Sequence, residues 1–313
     1  MTSKLELLEQ QLAGKEAKIA IAVALAASVF YAVMPILIRI SEDYVSPNAT
    51  IFNRSWIMTA ILGLWNVLWL RSRQTNHSVK DSLEKLLVPL LGLVIGFLGT
   101  QLLWAWSLSQ TNVANSEVLH SVTPGFTTLA GWLLFARKFG GRFLIGVIAA
   151  TVGAIAIGAS DLSNSISLQG DGLALLSAVF YAAYLMSIEK LRAWWTATIV
   201  LMWASGACTA LSFPVVIIAG DEVLPHSVRG WLALITLALD TVVCFSLVGY
   251  SLKWLSSELM ATILLLSPIL TAVLGWLLFS ETLSLLNLLG FAVILAGIYL
   301  AISDKGGIKA LEN

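Results

Sequence analysis

Two cysteines, three histidines and seven prolines are all that 313 residues supply of the usual metal-binding, bridging and chain-breaking types. Cys208 and Cys244 both fall in apolar runs. One such pair makes neither a disulfide framework nor a zinc spacing, so both read as buried packing thiols and no metal is expected. His77 and His226 sit in polar stretches, which leaves His120 as the one apolar-run imidazole. No Ser/His/Asp or metal-ligand spacing points to an enzyme. No G-x-x-x-x-G-K-[ST] segment occurs, so ATP is not the motor of any process here. Charge is scarce too, at 12% of residues against about 25% in an ordinary soluble domain. The formal net charge is zero, which gives a nucleic-acid partner nothing to bind.

What is present is grease. Hydrophobic residues make up 58% of the chain, and the mean hydropathy is +0.88. Apolar runs follow one another almost without pause, and about 20 residues suffice for a helix to cross a bilayer. Ten spans are expected, near 19–40, 49–70, 86–107, 113–136, 142–159, 169–189, 195–218, 230–252, 257–279 and 284–302. The first run is too long for a cleaved signal segment and reads as a retained span. The polar leader before it places Leu5, Leu8 and Leu12 on one helical face, which suits either an interfacial helix or a frayed tail.

Lysine and arginine fall on one side. Lys4, Lys15 and Lys18 precede the first span, and Arg71, Arg73, Lys80 and Lys85 follow the second. Arg137, Lys138 and Arg142 follow the fourth, Lys190 and Arg192 the sixth, Lys253 the eighth, and Lys305 and Lys309 the last. The alternate loops hold Arg229 alone, while Arg39 and Arg54 fall within or at the ends of spans. Short basic loops stay cytoplasmic. Both termini are therefore expected in the cytoplasm, on a multi-pass protein of the cell inner or plasma membrane.

The halves repeat. ALAASVFYA from residue 24 parallels ALLSAVFYA from 174, and PGFTTLAGWLLF from 124 parallels PILTAVLGWLLF from 268. Gly146 and Gly153 then match Gly290 and Gly297 at the same offset. Repeats decide architecture. Five spans per unit is odd, so the second unit must enter the membrane from the opposite side. The expected fold is an all-α integral membrane protein of two five-helix inverted repeats. The division runs 1–18 for the leader, 19–160 and 161–303 for the repeats, and 304–313 for a cytoplasmic tail. Substrate sites of such proteins lie near the midplane between the repeats.

On these residues the chain resembles the drug/metabolite transporters of the EamA type. SPILTAVLGWLLFSE from 267 matches the family's proline, apolar run, glycine and terminal glutamate, YSLKWLSSE from 250 its eighth-span ending, and Arg54 in FNRSW its second-span arginine. The first repeat departs from the pattern, with Arg137 in FARKF where a glutamate is typical. The resemblance covers nearly the whole chain. It implies secondary active transport of a small polar metabolite, most readily export of an amino acid or related compound. Organophosphate or nucleotide-sugar exchange is the rival within the superfamily, but that chemistry wants basic residues in the cavity. A non-transporting membrane sensor or an intramembrane enzyme is the rival from another class. No cofactor is implied. The expected partners are a small-molecule substrate and the lipid bilayer, and a monomer suffices.

Charge inside a span costs about 2.5–3.5 kcal/mol on insertion scales and tends to mark function. Glu117, His120, Ser121, Pro124, Thr128 and Gly131 follow helical i, i+3, i+4 spacing as one polar and small stripe. The second repeat offers Ala261, Leu264, Leu265, Pro268, Ala272 and Gly275 instead, which keeps the proline and glycine and loses the titratable groups. Pro124 and Pro268 are expected to kink their helices. Asp240 is the deepest acid in the chain. With Gln101, Trp104, Tyr31 and Tyr181 these residues are expected to line a substrate or proton cavity formed by spans one, three, four, six, eight and nine. Ser121 and Thr128 should face it, and Ile148 should face lipid. Arg54 and Glu117 lie at similar depth and suggest an outer-side ion pair.

Overall fold

The computed structural model describes residues 2–70, 83–108, 110, 113–159, 167–279 and 284–304. Among them there are twelve helices and no strand. Most of the basic loop after the second span, together with Glu281 and the tail from Lys305, lies outside the described residues.

Helix α1 runs from Thr2 to Glu42 without interruption, so the leader continues the first span as helix rather than forming a separate tail. Then come α2 (Pro47–Leu70), α3 (Leu83–Leu108), α4 (Val113–His120), α5 (Thr123–Phe135) and α6 (Gly141–Ala159). The second half has α7 (Leu168–Leu191), α8 (Ala197–Ala219), α9 (Val228–Ser251), α10 (Ser257–Leu264), α11 (Leu266–Phe279) and α12 (Leu285–Ser303). Among the described residues, eight stretches are long and apolar enough to cross a membrane. The other two expected spans are α6, which is apolar but short, and α2, whose apolar face is interrupted by Asn48, Asn53, Arg54 and Asn66. Ser167, Thr196, Ser227, Ser256 and Ser284 each accept a backbone N–H from the first turn they precede, the preferred way to satisfy an orphan donor at a helix start.

The fourth span of each half is broken at the same place. In the first half α4 stops at His120 and α5 restarts at Thr123, just before Pro124. In the second, Leu265 separates α10 from α11, and Pro268 follows. A proline cannot donate to the turn before it and crowds that turn's carbonyls.

Four antiparallel pairs tie the halves together. Between α1 and α9, Ser251 Oγ donates to Ala20 O at 3.0 Å while Cys244 meets Ala27 O. Between α3 and α7, Thr100 Oγ1 donates to Ser177 O at 2.9 Å, and Gly92 faces Ser187. Between α2 and α8, Thr59 Oγ1 donates to Ser205 Oγ at 2.9 Å and Thr198 Oγ1 to Asn66 Oδ1 at 2.8 Å. Between α6 and α12, Gly146 abuts Gly297 and Gly153 abuts Gly290. In every pair numbering rises on one helix as it falls on the other.

Lipid is as apolar as leucine, so helices in it associate through close packing of small residues rather than through the hydrophobic effect. A Cβ on Gly146 would lie 2.6 Å from Gly297 O, and one on Gly96 2.8 Å from Tyr184 N. Only glycine permits backbones this close. Leucine, valine and isoleucine such as Leu64, Val67, Val88, Leu134 and Ile148 point outward instead.

Candidate functional site

The break in the fourth span divides the expected stripe. His120 ends α4 and turns inward, where its Nδ1 lies 3.0 Å from Ser177 Oγ and its Nε2 3.4 Å from Tyr31 Oη. Its ring sits 5.3 Å from Tyr181 and 6.2 Å from Trp104, centroid to centroid. Tyr31 and Tyr181, equivalent positions in the two repeats, are themselves 6.1 Å apart. Tyr184, Phe97 and Phe245 extend the cluster. Helices α1, α3, α4, α7 and α9 thus converge on one aromatic box around an imidazole.

Ser121, Thr128 and Gly131 of the stripe have other surroundings. Ser121 is buried and donates to Glu117 O on its own helix. Gly131 packs on the Glu258 carboxylate. Thr128 lines a lateral groove between α5 and α6, and Ile148, expected to face lipid, points outward at the edge of the same groove. The spacing argument assumed one continuous helix, and the interruption at Ser121–Val122 ends that continuity before Thr128 and Gly131.

Arg54 and Glu117 do not form the expected pair. Three ion-pair contacts are found among the described residues, and none involves either residue. Arg54 is 2% exposed, and its Nε and Nη1 have no hydrogen-bond partner. Its electrostatic neighbours include Asp240 on α9 and Glu42 at the end of α1, whereas Glu117 lies within electrostatic reach of Tyr31. Arg54, Gln101 and Trp104 line one narrow crevice with Thr50 and Glu42. Gln101 Nε2, Trp104 Nε1, Tyr184 Oη and Asp240 Oδ2 are buried without hydrogen-bond partners. Buried polar atoms are normally paired, so this concentration where the halves meet distinguishes the centre of the protein from its packing. Among the described residues no group of three or more His, Cys, Asp or Glu could hold a metal ion.

One constellation was missed by sequence reasoning. Arg137, just beyond α5, binds Glu189 at the end of α7 and Glu258 at the start of α10. Its Nη2 lies 2.7 Å from Glu189 Oε1, and its Nη1 2.8 Å from both oxygens of Glu258. Glu189 also accepts the backbone N–H of Ser257 at 2.9 Å. Burial alone would lower the Arg137 pKa, but the two carboxylates outweigh it and hold the guanidinium above its usual range. The local backbone delivers the side chain. Ala136 adopts a left-handed conformation with φ 49°, and Arg137 N donates back to Gly131 O at 3.0 Å. The signal was Arg137 itself, a cation where the repeat pattern leads one to expect an acid.

A solved crystal structure matches the fold with a TM-score of 0.75 and 16% identity, covering 90% of this chain and 97% of its own. No curated protein sequence matches the chain. The family model described as the EamA-like transporter family matches twice, over residues 18–159 and again over 168–303. These two matches coincide with the two halves, each with its broken fourth span, and the chain belongs to the EamA-like transporter family.

Proposed function

We propose that this drug/metabolite-type transporter is a secondary active carrier of a small polar metabolite, working by alternating access between two inverted repeats. One observation carries the reading. Equivalent helices of the two halves pair antiparallel, α6 with α12 through Gly146–Gly297 and Gly153–Gly290, and α2 with α8 through Thr59–Ser205 and Asn66–Thr198. Halves of like orientation would pair their equivalents parallel. Opposed halves can exchange roles and so open to either side of the membrane around a site at their interface.

The aromatic box at His120 and the crevice at Arg54 form that site, with Tyr31, Gln101, Trp104, Tyr181 and Asp240 on its walls. Glu117, His120 and Asp240 are its proton-carrying groups. The Arg137–Glu189–Glu258 clamp lies on the side that the lysine and arginine asymmetry assigns to the cytoplasm. It holds α5, α7 and α10 together there, closing that end in this conformation. The protein resides in the cell inner or plasma membrane with both termini cytoplasmic, and export of an amino acid or related metabolite is the transport its family resemblance favours.

The test is counterflow. Proteoliposomes loaded with one unlabelled metabolite at a time, from a panel of amino acids, sugars and nucleosides, are diluted into the labelled compound. Transient accumulation of at least one compound, absent from protein-free vesicles, is expected. Absence of counterflow across the panel would reject the transporter reading.

A further inference from the structure

Among the described residues Arg54 is a buried cation whose charged neighbours, Glu42 and Asp240, leave its hydrogen-bonding groups unfilled. It lies seven residues into α2 and is 2% exposed, yet Nε and Nη1 are unpartnered. An unpaired ion away from water costs several kcal/mol, and ionisable groups within membrane helices mark substrate or ion paths. Three more polar groups on the same crevice are also buried without partners: Thr50 Oγ1, Gln101 Nε2 and Trp104 Nε1. Their placement follows from helix geometry. Thr50 precedes Arg54 by four residues on α2, and Gln101 precedes Trp104 by three on α3, so each pair shares a face. Two neighbouring faces therefore aim a guanidinium, an amide, an indole N–H and a hydroxyl at one crevice.

A set dominated by donors fits a group dominated by acceptors. An ionised carboxylate offers two oxygens and no proton, and its bond to arginine is about twice as strong as a neutral hydrogen bond. We propose that the crevice between α1, α2 and α3 binds a carboxylate of the transported solute, with Arg54 as counter-ion and Gln101, Trp104 and Thr50 as neutral partners. The assignment rests on the transporter reading and narrows its substrate to acids.

The surrounding charge excludes the neighbouring oxyanion. Glu42 lines the crevice, and Asp240 lies within electrostatic reach of Arg54. A phosphate dianion would face two acids with a single cation to hold it. A carboxylate carries one charge, so it meets about half the repulsion from the same two acids. Arg39 is exposed and supplies no second buried cation.

The experiment compares acids with their amides. Purified protein in nanodiscs is titrated with the common amino acids, lactate and succinate, then with the carboxamide of each acid that binds, and with inorganic phosphate. At least one acid is expected to bind, its carboxamide at least tenfold more weakly, and phosphate not to compete. Arg54→Gln is expected to weaken the acid at least tenfold and to shrink the acid's advantage over its carboxamide, with Arg54→Lys in between. The acid–amide comparison uses the unaltered protein, so it decides even where a variant fails to fold. The proposal is overturned if no acid binds, if an amide binds as well as its acid, if phosphate displaces the acid, or if folded Arg54→Gln binds the acid normally. Acid binding without counterflow would instead reject transport and leave the site standing. Counterflow of an amide as fast as its acid would reject the site and leave transport standing.

Discussion

Arg137 Nη1 stands 2.8 Å from both oxygens of Glu258, whose side chain is 0% exposed. With Glu189 also on the guanidinium, one cation serves two buried acids. Removing one partner from a buried pair costs about 3–5 kcal/mol, because the remaining charge is stranded. Arg137→Gln strands two and should be the most destabilising single change at this end. Glu258→Gln leaves Arg137 paired with Glu189 and should cost less. Melting temperatures in detergent or nanodiscs give the order, and faster hydrogen exchange at the start of α10 in Arg137→Gln gives the location. Equal stability of the two variants would remove the clamp.

Ala136 holds a left-handed backbone, with φ 49°. That conformation costs a residue with a Cβ about 1–2 kcal/mol, and glycine avoids it. Glycine gives back about 0.5–1 kcal/mol in lost chain freedom. Ala136→Gly should thus be neutral to modestly stabilising, and Ala136→Val clearly destabilising. Thermal melts of the two variants against the parent check the sign of each.

At the α6–α12 contact the obstruction to a side chain is backbone, which cannot swing aside. A Cβ on Gly297 would lie 2.5 Å from Ala150 N and 2.6 Å from Gly146 O. Gly297→Ala should therefore lower stability by about 1–3 kcal/mol, the usual cost of overpacking. Gly172 on α7 has nothing within 4 Å of its Cβ position. Gly172→Ala should gain up to about 1 kcal/mol from helix propensity. Two melts with shifts of the same sign would contradict the packing argument.

Proton coupling is tested at Glu117 and Asp240. Exchange at zero gradient needs only the two-state movement, whereas net coupled flux needs a group that binds a proton in one state and releases it in the other. Glu117→Gln and Asp240→Asn are each expected to abolish uptake driven by a pH gradient while sparing exchange, with Asp240→Asn the more damaging. Both kinds of flux are measured in the same proteoliposomes. Wild-type flux and pH dependence in both variants would make the protein a facilitator or exchanger.

The sequence shows its helices because lipid imposes length and hydropathy on every span, and it shows the duplication because PGFTTLAGWLLF and PILTAVLGWLLF still match. Prolines 124 and 268 announced the broken fourth spans, but not where the helices would stop. Thr128, beyond the break, lies on the lateral groove, while His120, before it, meets Ser177. The clamp was illegible for a different reason. Its members are 52 and 121 residues apart along the chain, and each alone reads as an ordinary charge at a span end. Arg54 has Asp240 and Glu42 as charged neighbours rather than the expected Glu117. Depth along a span can be counted from sequence, whereas the direction a side chain takes around the bundle depends on helix rotation.

The chain is duplicated, and its charges are not. Glu117 and His120 are answered in the other repeat by Ala261 and Leu264. The other ion pair among the described residues, His226 with Glu222, is exposed rather than locked into a clamp. A perfectly symmetric duplicate would spend equal time open to either side, since exchanging its halves would leave its energy unchanged. Anchoring one end with a triad of charges makes the two postures unequal, and each 1.4 kcal/mol of difference is about a tenfold preference. If the protein works by the alternating access proposed above, divergence after duplication gives it a resting posture, from which a passenger must dislodge it.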